Sequence, residues 1–241
     1  MEEVTIKESL DEVISWFKST TLMCCTHDCG ERPTPLIKDF AQQLSAINTQ
    51  LDVLSSLKDS ACYKSISELS SIYEKNLVLL NEVMAKLLQV QTNWLHLQRV
   101  FRSGALKSNQ KDFDEIDDSF RKIMTKNENG MVKYLIDQDR NPNMGEVLDN
   151  LLNNIEKCQS NVSAFIEAKR DVFPRLNFVG EESVVELLGS TKNPVHIQIF
   201  LRHLFQGIHV IMFDENIKSI IAIKSVYGEE VKLCKVGSRA R

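Results

Sequence analysis

The chain has 241 residues, 29 Lys and Arg against 33 Asp and Glu, and a formal net charge of -4. Hydrophobic residues make up 43% and charged residues 26%, which excludes a disordered or collagen-like chain. The mild acidity argues against a dedicated nucleic-acid binder, and 9 glycines and 5 prolines are too few for a many-stranded fold.

No apolar run approaches the ~20 residues of a membrane helix, so no membrane insertion is expected. Met1-Glu2-Glu3 is acidic and has no signal core. That implies a reducing compartment, in which the six cysteines are free thiols. Asn161-Val162-Ser163 fits a glycosylation acceptor by chance only, inside a helical stretch.

In chain order, Thr5 to Phe17 reads as a helix, with Thr5 and Glu8 as a capping box and Ile6, Leu10, Val13, Ile14 and Phe17 on one face. Thr20 to Pro35 reads as a hairpin or irregular loop, turning at His27-Asp28-Cys29-Gly30. Thr34 and Pro35 then predict the N-cap and first turn of a long helix. Its seam is Phe40, Leu44, Ile47, Leu51 and Leu54. A third helix is predicted from near Ser65, capped by Ser65 and Glu68, to about Arg102. It carries Leu77, Leu80, Met84, Leu87, Trp94 and Phe101.

A loop around Gly104 precedes a shorter helix with Phe113, Ile116, Phe120 and Ile123 on one side. Asn127 to Asn143 is mixed, with a brief apolar stretch at Met131 to Ile136. The next long helix holds Leu148, Leu151, Ile155, Cys158, Val162 and Phe165, and Phe173-Pro174 should end it. A short helix stops at Gly189. Another opens at Asn193-Pro194 with Ile197, Leu201, Leu204 and Ile208 on one face. Val210 to Phe213, Ser219 to Lys224, a Tyr227-Gly228 turn, and Val231 with Leu233 read as small antiparallel β structure. The expected fold class is mainly α: elongated antiparallel helical bundles with a small C-terminal β-hairpin element.

The residues offer little chemistry. Cys24, Cys25, His27 and Cys29 could supply metal ligands, but no second ligand pair exists and adjacent cysteines of a strand face opposite ways, so a plain hairpin is expected. His196, His203 and His209 read as surface or edge histidines, the first two sharing a helix face two turns apart. Asp112 to Asp118 reads as a solvated acidic face at a helix start. Lys169, Arg170 and Arg175 flank Phe173-Pro174 and could form a contact patch. The sequence contains no Gly-x-Gly-x-x-Gly, no phosphate-binding loop and no nucleophile elbow. Residue physics therefore describes a helical structural or interaction module, with no catalytic residues, cofactor or metal expected.

A resemblance extends this reading. Phe173-Pro174-Arg175, followed by Phe178, Glu181-Glu182 and a helix containing Glu186, resembles the linker region of dynein heavy chains. Leu57 to Ser60 with Tyr63-Lys64, and Trp94-Leu95 with Phe101 through Leu106 around Gly104, are similar to upstream linker motifs. Asn193-Pro194, Phe205 to Ile208, and Ser225 through Gly228, Glu229 and Val231 are similar to downstream ones. Gly104-Ala105-Leu106, Ile123-Met124-Thr125, Cys158-Gln159 and Phe213-Asp214-Glu215 are most like the second cytoplasmic, ciliary type. The likeness covers about Thr5 to Leu233. Leu176 and Asn177 stand where the family has aromatics, and Arg102 replaces a usual glycine.

The resemblance implies a partial linker at 1–233 and a divergent tail at 234–241. The linker is a mechanical lever lying across an AAA+ ring, bending and straightening with nucleotide state. Implied partners are the ring in cis, intermediate and light intermediate chains through the full heavy chain, and microtubules through a stalk. ATP belongs to modules outside this sequence. The implied location is cytoplasm, cytoskeleton and cilium, in retrograde intraflagellar transport. The alternative is a standalone helical scaffold or regulatory protein without motor modules. In either case an exposed apolar patch is expected near the C-terminal end.

Overall fold

The computed structural model describes residues 2–27, 32–60, 62–106, 109–126, 135–136, 143–189, 194–214, 217 and 219–238. The protein is mainly α, with two small antiparallel sheets among the described residues. It divides into two compact units, Met1–Leu95 with Asp114–Glu156, and His96–Phe113 with Lys157–Arg241.

In the first unit, α1 (Glu2–Ser19) buries Ile6, Leu10, Val13 and Phe17 at helical spacing. It begins before the expected capping box, so Thr5 lies inside the helix and its carbonyl accepts from Ser9 Oγ. β1 (Cys24–His27) and β2 (Thr34–Ile37) form a hairpin in the register Cys24↔Ile37 to His27↔Thr34. Residues 28–31, which include most of the expected turn, lie outside the described residues.

β2 corrects the expectation that Thr34 and Pro35 open a helix. The helix α2 (Phe40–Lys58) starts five residues after Pro35, beyond a left-handed joint at Asp39 (φ 52). Pairing with β1 outweighs the local helix-start signal. Pro35 is tolerated because Ile37 directs its N–H and C=O away from β1, to Gln91, and Pro35 shares that outward side. Its missing N–H therefore removes no ladder bond.

α2 buries Phe40, Ile47, Leu54 and Leu57, while Leu44 and Leu51 are half-buried, so only part of the expected seam reaches the core. A 3-10 turn (Tyr63–Ser65) precedes α3 (Ser67–Arg102). Ser65 Oγ donates to Cys62 O rather than capping α3, which starts two residues later than expected. All six expected seam residues of α3 are buried. Phe17 meets Tyr73 edge-to-face at 5.6 Å.

α4 (Gln110–Lys126) buries Phe113, Ile116, Phe120 and Ile123 as its spacing predicts. The apolar stretch expected at Met131 to Ile136 falls mostly outside the described residues. α5 (Met144–Val172) buries Leu148, Leu151, Ile155, Cys158 and Val162, then Ile166 instead of Phe165. A straight helix drifts away from a strict heptad, so the buried stripe moves on by one position. Residues of α3, α4 and α5 belong to both units.

In the second unit, α5 ends at Val172, as Pro174 requires. A 3-10 segment (Pro174–Phe178) leads to α6 (Glu181–Gly189). The helix expected from Asn193 is instead a 3-10 segment (Pro194–Ile199) and a single turn, α7 (Leu201–Leu204). Phe200, Leu201 and Leu204 are buried, whereas Ile197 and Ile208 are only half-buried. Phe205 turns extended and stops the helix.

β3 (Val210–Phe213), β4 (Ser219–Lys224) and β5 (Glu230–Ser238) form the expected small antiparallel sheet, with three strands in the order β3-β4-β5. β5 passes through the expected boundary at Leu233, pairing Gly237 with Ile220 and Ser238 with Ser219. The strand therefore includes residues 234–238 of the expected tail; residues 239–241 lie outside the described residues. The sheet leaves Met212, Ile221 and Val231 exposed, and Val226 and Tyr227 project from its turn.

Candidate functional site

The ten motif residues divide between the units. Trp94 lies in the first, and the other nine lie in the second.

Trp94 is fully buried on α3. Its indole N–H donates to Asp117 Oδ1 at 3.0 Å, and its ring lies 4.6 Å from that of Phe120. Asp117 Oδ2 accepts from Arg121 Nε at 2.7 Å, with both side chains less than a fifth exposed. The Arg121 guanidinium lies 5.5 Å from the Trp94 ring centre. It also donates to Arg32 O at 2.6 Å and to the hydroxyl of Thr34, which is buried. One polar network thus ties α3, α4 and the hairpin together around an apolar ring, with its donors matched to acceptors. Asp117 therefore departs from the expected solvated acidic face. Its neighbours Asp112, Asp114, Glu115 and Asp118 are exposed.

In the second unit, Phe101 stacks on Phe113 at 4.8 Å and 7°. Gly104 takes φ +73 just after α3, closed by Gly104 N–H to Phe101 O at 3.0 Å. A glycine fits this left-handed helix terminator without steric penalty. Arg102, which replaces the family's usual glycine, is still helical.

α6 runs alongside this end of α3. Glu182, near its start, accepts from His96 at 3.1 Å and pairs with Arg99 at 3.7 Å. Gly189, at its end, lies so close to Ser103 that a Cβ would stand 2.2 Å from the Ser103 carbonyl oxygen. Glu186 is an exposed residue of the same helix.

Around Phe173-Pro174-Arg175 the three cations weighed as a contact patch also make contacts within the unit, while Lys169 and Arg175 stay exposed. Arg175 donates to Leu204 O at 2.9 Å and lies 4.7 Å over the Phe205 ring. Arg170 donates to Val179 O at 3.2 Å and pairs with Glu167 at 2.7 Å. Lys169 lies 5.3 Å over Phe165. All three cations are engaged within the unit, where Arg170 and Arg175 brace the 3-10 segment. Leu176 is buried, filling the core where the family has an aromatic, while Phe173 is partly exposed and Phe178 largely so. Gly228 (φ +90) and Glu229 close the β4–β5 turn: Ser225 N–H donates to Glu229 O at 2.9 Å, and Glu229 N–H to Ser225 Oγ at 3.2 Å.

Sequence reading missed Arg121, Gln91 and Gln198, and it named Asp117 and Gly189 without their tertiary contacts. Only Arg121, four residues after Asp117, carried a local signal, as a helical acid–base pair.

Cys24, Cys25 and His27 lie on β1, and Cys29 lies outside the described residues. Among the described residues no group of three His, Cys, Asp or Glu is placed to hold a metal. His196 and His203 do not share a helix, since His196 sits on the Pro194–Ile199 segment and His203 on α7. Among the described residues, no helix is long and apolar enough to cross a membrane.

Burial pushes the Cys158 thiol up to about 11. Partial burial and the neighbouring Cys25 raise that of Cys24. The thiolate is the reactive form, and a raised pKa keeps both thiols protonated near neutrality. Cys158 should resist iodoacetamide at pH 8 until the chain unfolds. Cys24, although exposed, should react more slowly than an unstructured cysteine and should speed up as pH rises. Mass spectrometry of the labelled peptides checks both; prompt labelling of Cys158 in the folded chain would contradict its burial.

These braces and close approaches build packed junctions; none of them lines a cleft carrying a nucleophile and a base. Comparison with known proteins gives the family. The family model described as "Dynein heavy chain, N-terminal region 2" matches residues 1–241. The chain is 36% identical over 232 residues to cytoplasmic dynein 2 heavy chain 1 of Homo sapiens, covering 95% of this chain and 5% of that one. It is 35% identical over 235 residues to the protein of that name from Tripneustes gratilla, covering 97% and 5%. Against the cytoplasmic dynein heavy chain of Caenorhabditis elegans it is 27% identical over 241 residues, covering 98% and 5%. The chain thus spans about a twentieth of the length of these curated relatives. With a match along its whole length, this chain belongs to the dynein heavy chain family.

Proposed function

We propose that residues 1–233 are part of the linker, the mechanical lever, of a dynein heavy chain of the cytoplasmic dynein 2 type. The heavy chain would be a minus-end-directed microtubule motor serving retrograde intraflagellar transport in cilia. The observation that carries the subtype is the gradient of likeness: 29–36% identity to dynein 2 heavy chains, from 29% in Caenorhabditis elegans to 36% in Homo sapiens, against 27% to the other cytoplasmic dynein of Caenorhabditis elegans and 24% to human axonemal dynein heavy chain 10.

The physical character of the chain supports a lever. Helices of 36 and 29 residues with continuous buried stripes deform little, because close-packed interiors have low compressibility. Among the described residues, Trp94–Asp117–Arg121, Arg170 and Arg175 brace junctions between elements. ATP hydrolysis belongs to AAA+ modules elsewhere in the heavy chain, and docking of the lever on that ring would be the equilibrium that nucleotide biases. Intermediate and light intermediate chains, and microtubules, would be reached through other parts of the same polypeptide, in the cytoplasm and the cilium.

The test is a dynein 2 heavy chain carrying this segment, compared with one from which it is deleted, in microtubule gliding and ATP turnover. The intact motor should glide. The deletion should keep ATP turnover and lose most gliding velocity. Undiminished gliding after deletion would overturn the lever reading. Restoration of retrograde transport in cilia by this segment, and not by an axonemal one, tests the subtype.

A further inference from the structure

The two small sheets share a device. On the first unit's hairpin, the Gln91 side-chain amide accepts from Ile37 N–H at 3.0 Å and donates to Ile37 O at 3.0 Å. In the second unit, Gln198 accepts from Ile211 N–H at 3.0 Å and donates to Ile211 O at 2.5 Å. A primary amide offers the same donor and acceptor pair as a peptide group. Each glutamine thus stands where a neighbouring strand would pair, β2 being held by α3 and β3 by the Pro194–Ile199 segment.

Their surroundings differ. Gln91 is 8% exposed and Ile37 3%, so water cannot replace the amide there. Gln198 and Ile211 are both half-buried, and the adjoining Ile199 is 58% exposed. Opening a buried pair leaves two polar groups unsatisfied, whereas a half-buried pair can exchange its partner for water. β3 is only four residues long, and its ladder with β4 is interrupted by a register shift between Met212 and Phe213.

We propose that Gln198 is a releasable latch. It holds the edge of the C-terminal sheet to the Pro194–Ile199 segment, and opens without unfolding the second unit. Gln91 is its permanent counterpart. When the latch opens, β3 stays paired with β4, and Ile211 N–H and C=O turn to water. The proposal does not depend on the lever reading.

Amide hydrogen exchange in the 241-residue chain, followed by NMR, tests it. In the parent chain, Ile211 should exchange by a local opening, far faster than Ile37 relative to their intrinsic rates. Gln198→Ala should raise the Ile211 rate by about tenfold to a hundredfold, the loss of two hydrogen bonds, while the thermal midpoint stays within a few degrees. Gln198→Glu separates a latch from mere packing. A protonated carboxyl retains one donor and one acceptor, and an ionised one only accepts. The ratio of Ile211 to Ile37 protection should therefore be near the parent value at pH 4 and fall by pH 7. Equal protection of Ile211 and Ile37 in the parent chain, or a pH-independent ratio in the Glu variant, would overturn the proposal.

Discussion

Trp94→Ala should lower the stability of the first unit by about 3–5 kcal/mol, the range for truncating a fully buried large aromatic. The indole is wholly enclosed, so its loss leaves a cavity among Phe120, Asp117 and Arg121 rather than admitting solvent. Asp117 also loses one of its two donors, and a half-buried acceptor left short adds to the deficit. Trp94→Phe separates the two contributions, keeping most of the ring and removing only the N–H. Its expected loss is about 1–2 kcal/mol. Urea unfolding measures both, with the remaining Trp16 as the fluorescent reporter. A loss below about 1 kcal/mol for the alanine variant would show that the ring is not the packing centre described.

Gly189→Ala should disrupt the second unit more than an alanine at any of its other described glycines free of a positive φ. The added methyl would lie 2.2 Å from Ser103 O and 2.8 Å from Ser103 C, and these are backbone atoms that no rotamer change can move. α6 must then shift against the end of α3, at a loss of about 1–3 kcal/mol. The shift would also separate Glu182 from His96 and Arg99, an exposed cluster that contributes little to stability by itself but reports the movement. Gly207→Ala is the control, since a Cβ there meets nothing within 4 Å, and it should change stability by less than about 0.5 kcal/mol. Thermal unfolding of the two variants decides the matter: equal midpoints would mean that α6 does not approach Ser103 as closely as described.

The two substitutions show how differently the fold could be read in advance. Trp94 lies on a seam visible from spacing alone, because burial along a helix follows its own period. Gly189 looked like an ordinary helix stop. Its close approach to Ser103 joins residues 86 positions apart, which no local pattern encodes. Asp117 is a similar case. Inside a run of acids it looked solvated, but its partners are Arg121 on the same helix and Trp94, 23 positions away, and the second has no local signature. That Arg170 and Arg175 bond to backbone carbonyls could not be read either, because a cation's partner carbonyl carries no signature in sequence.

Local propensity erred where pairing overruled it. Thr34-Pro35 is a sound helix opening taken alone, yet hydrogen bonds to β1 and the Gln91 amide make it a strand. The helix expected to open at Asn193-Pro194 likewise gave way, from Pro194 on, to a 3-10 segment and one helical turn, with Gln198 turned towards β3.

By itself the sequence determined the mainly helical class, the seams of α3 and α4, the stop at Pro174, the places of β3 and β4, and, through motifs along most of its length, the family. Those features follow from periodicity, backbone restriction and residue identity, all local properties. The tertiary structure alone decided where the polar residues go: Asp117 onto Trp94, the two glutamines onto sheet edges, the arginines onto carbonyls. A hydrogen bond's partner is set by which backbone or side-chain group the folded chain brings within about 3 Å, and that proximity comes into being only when the elements pack.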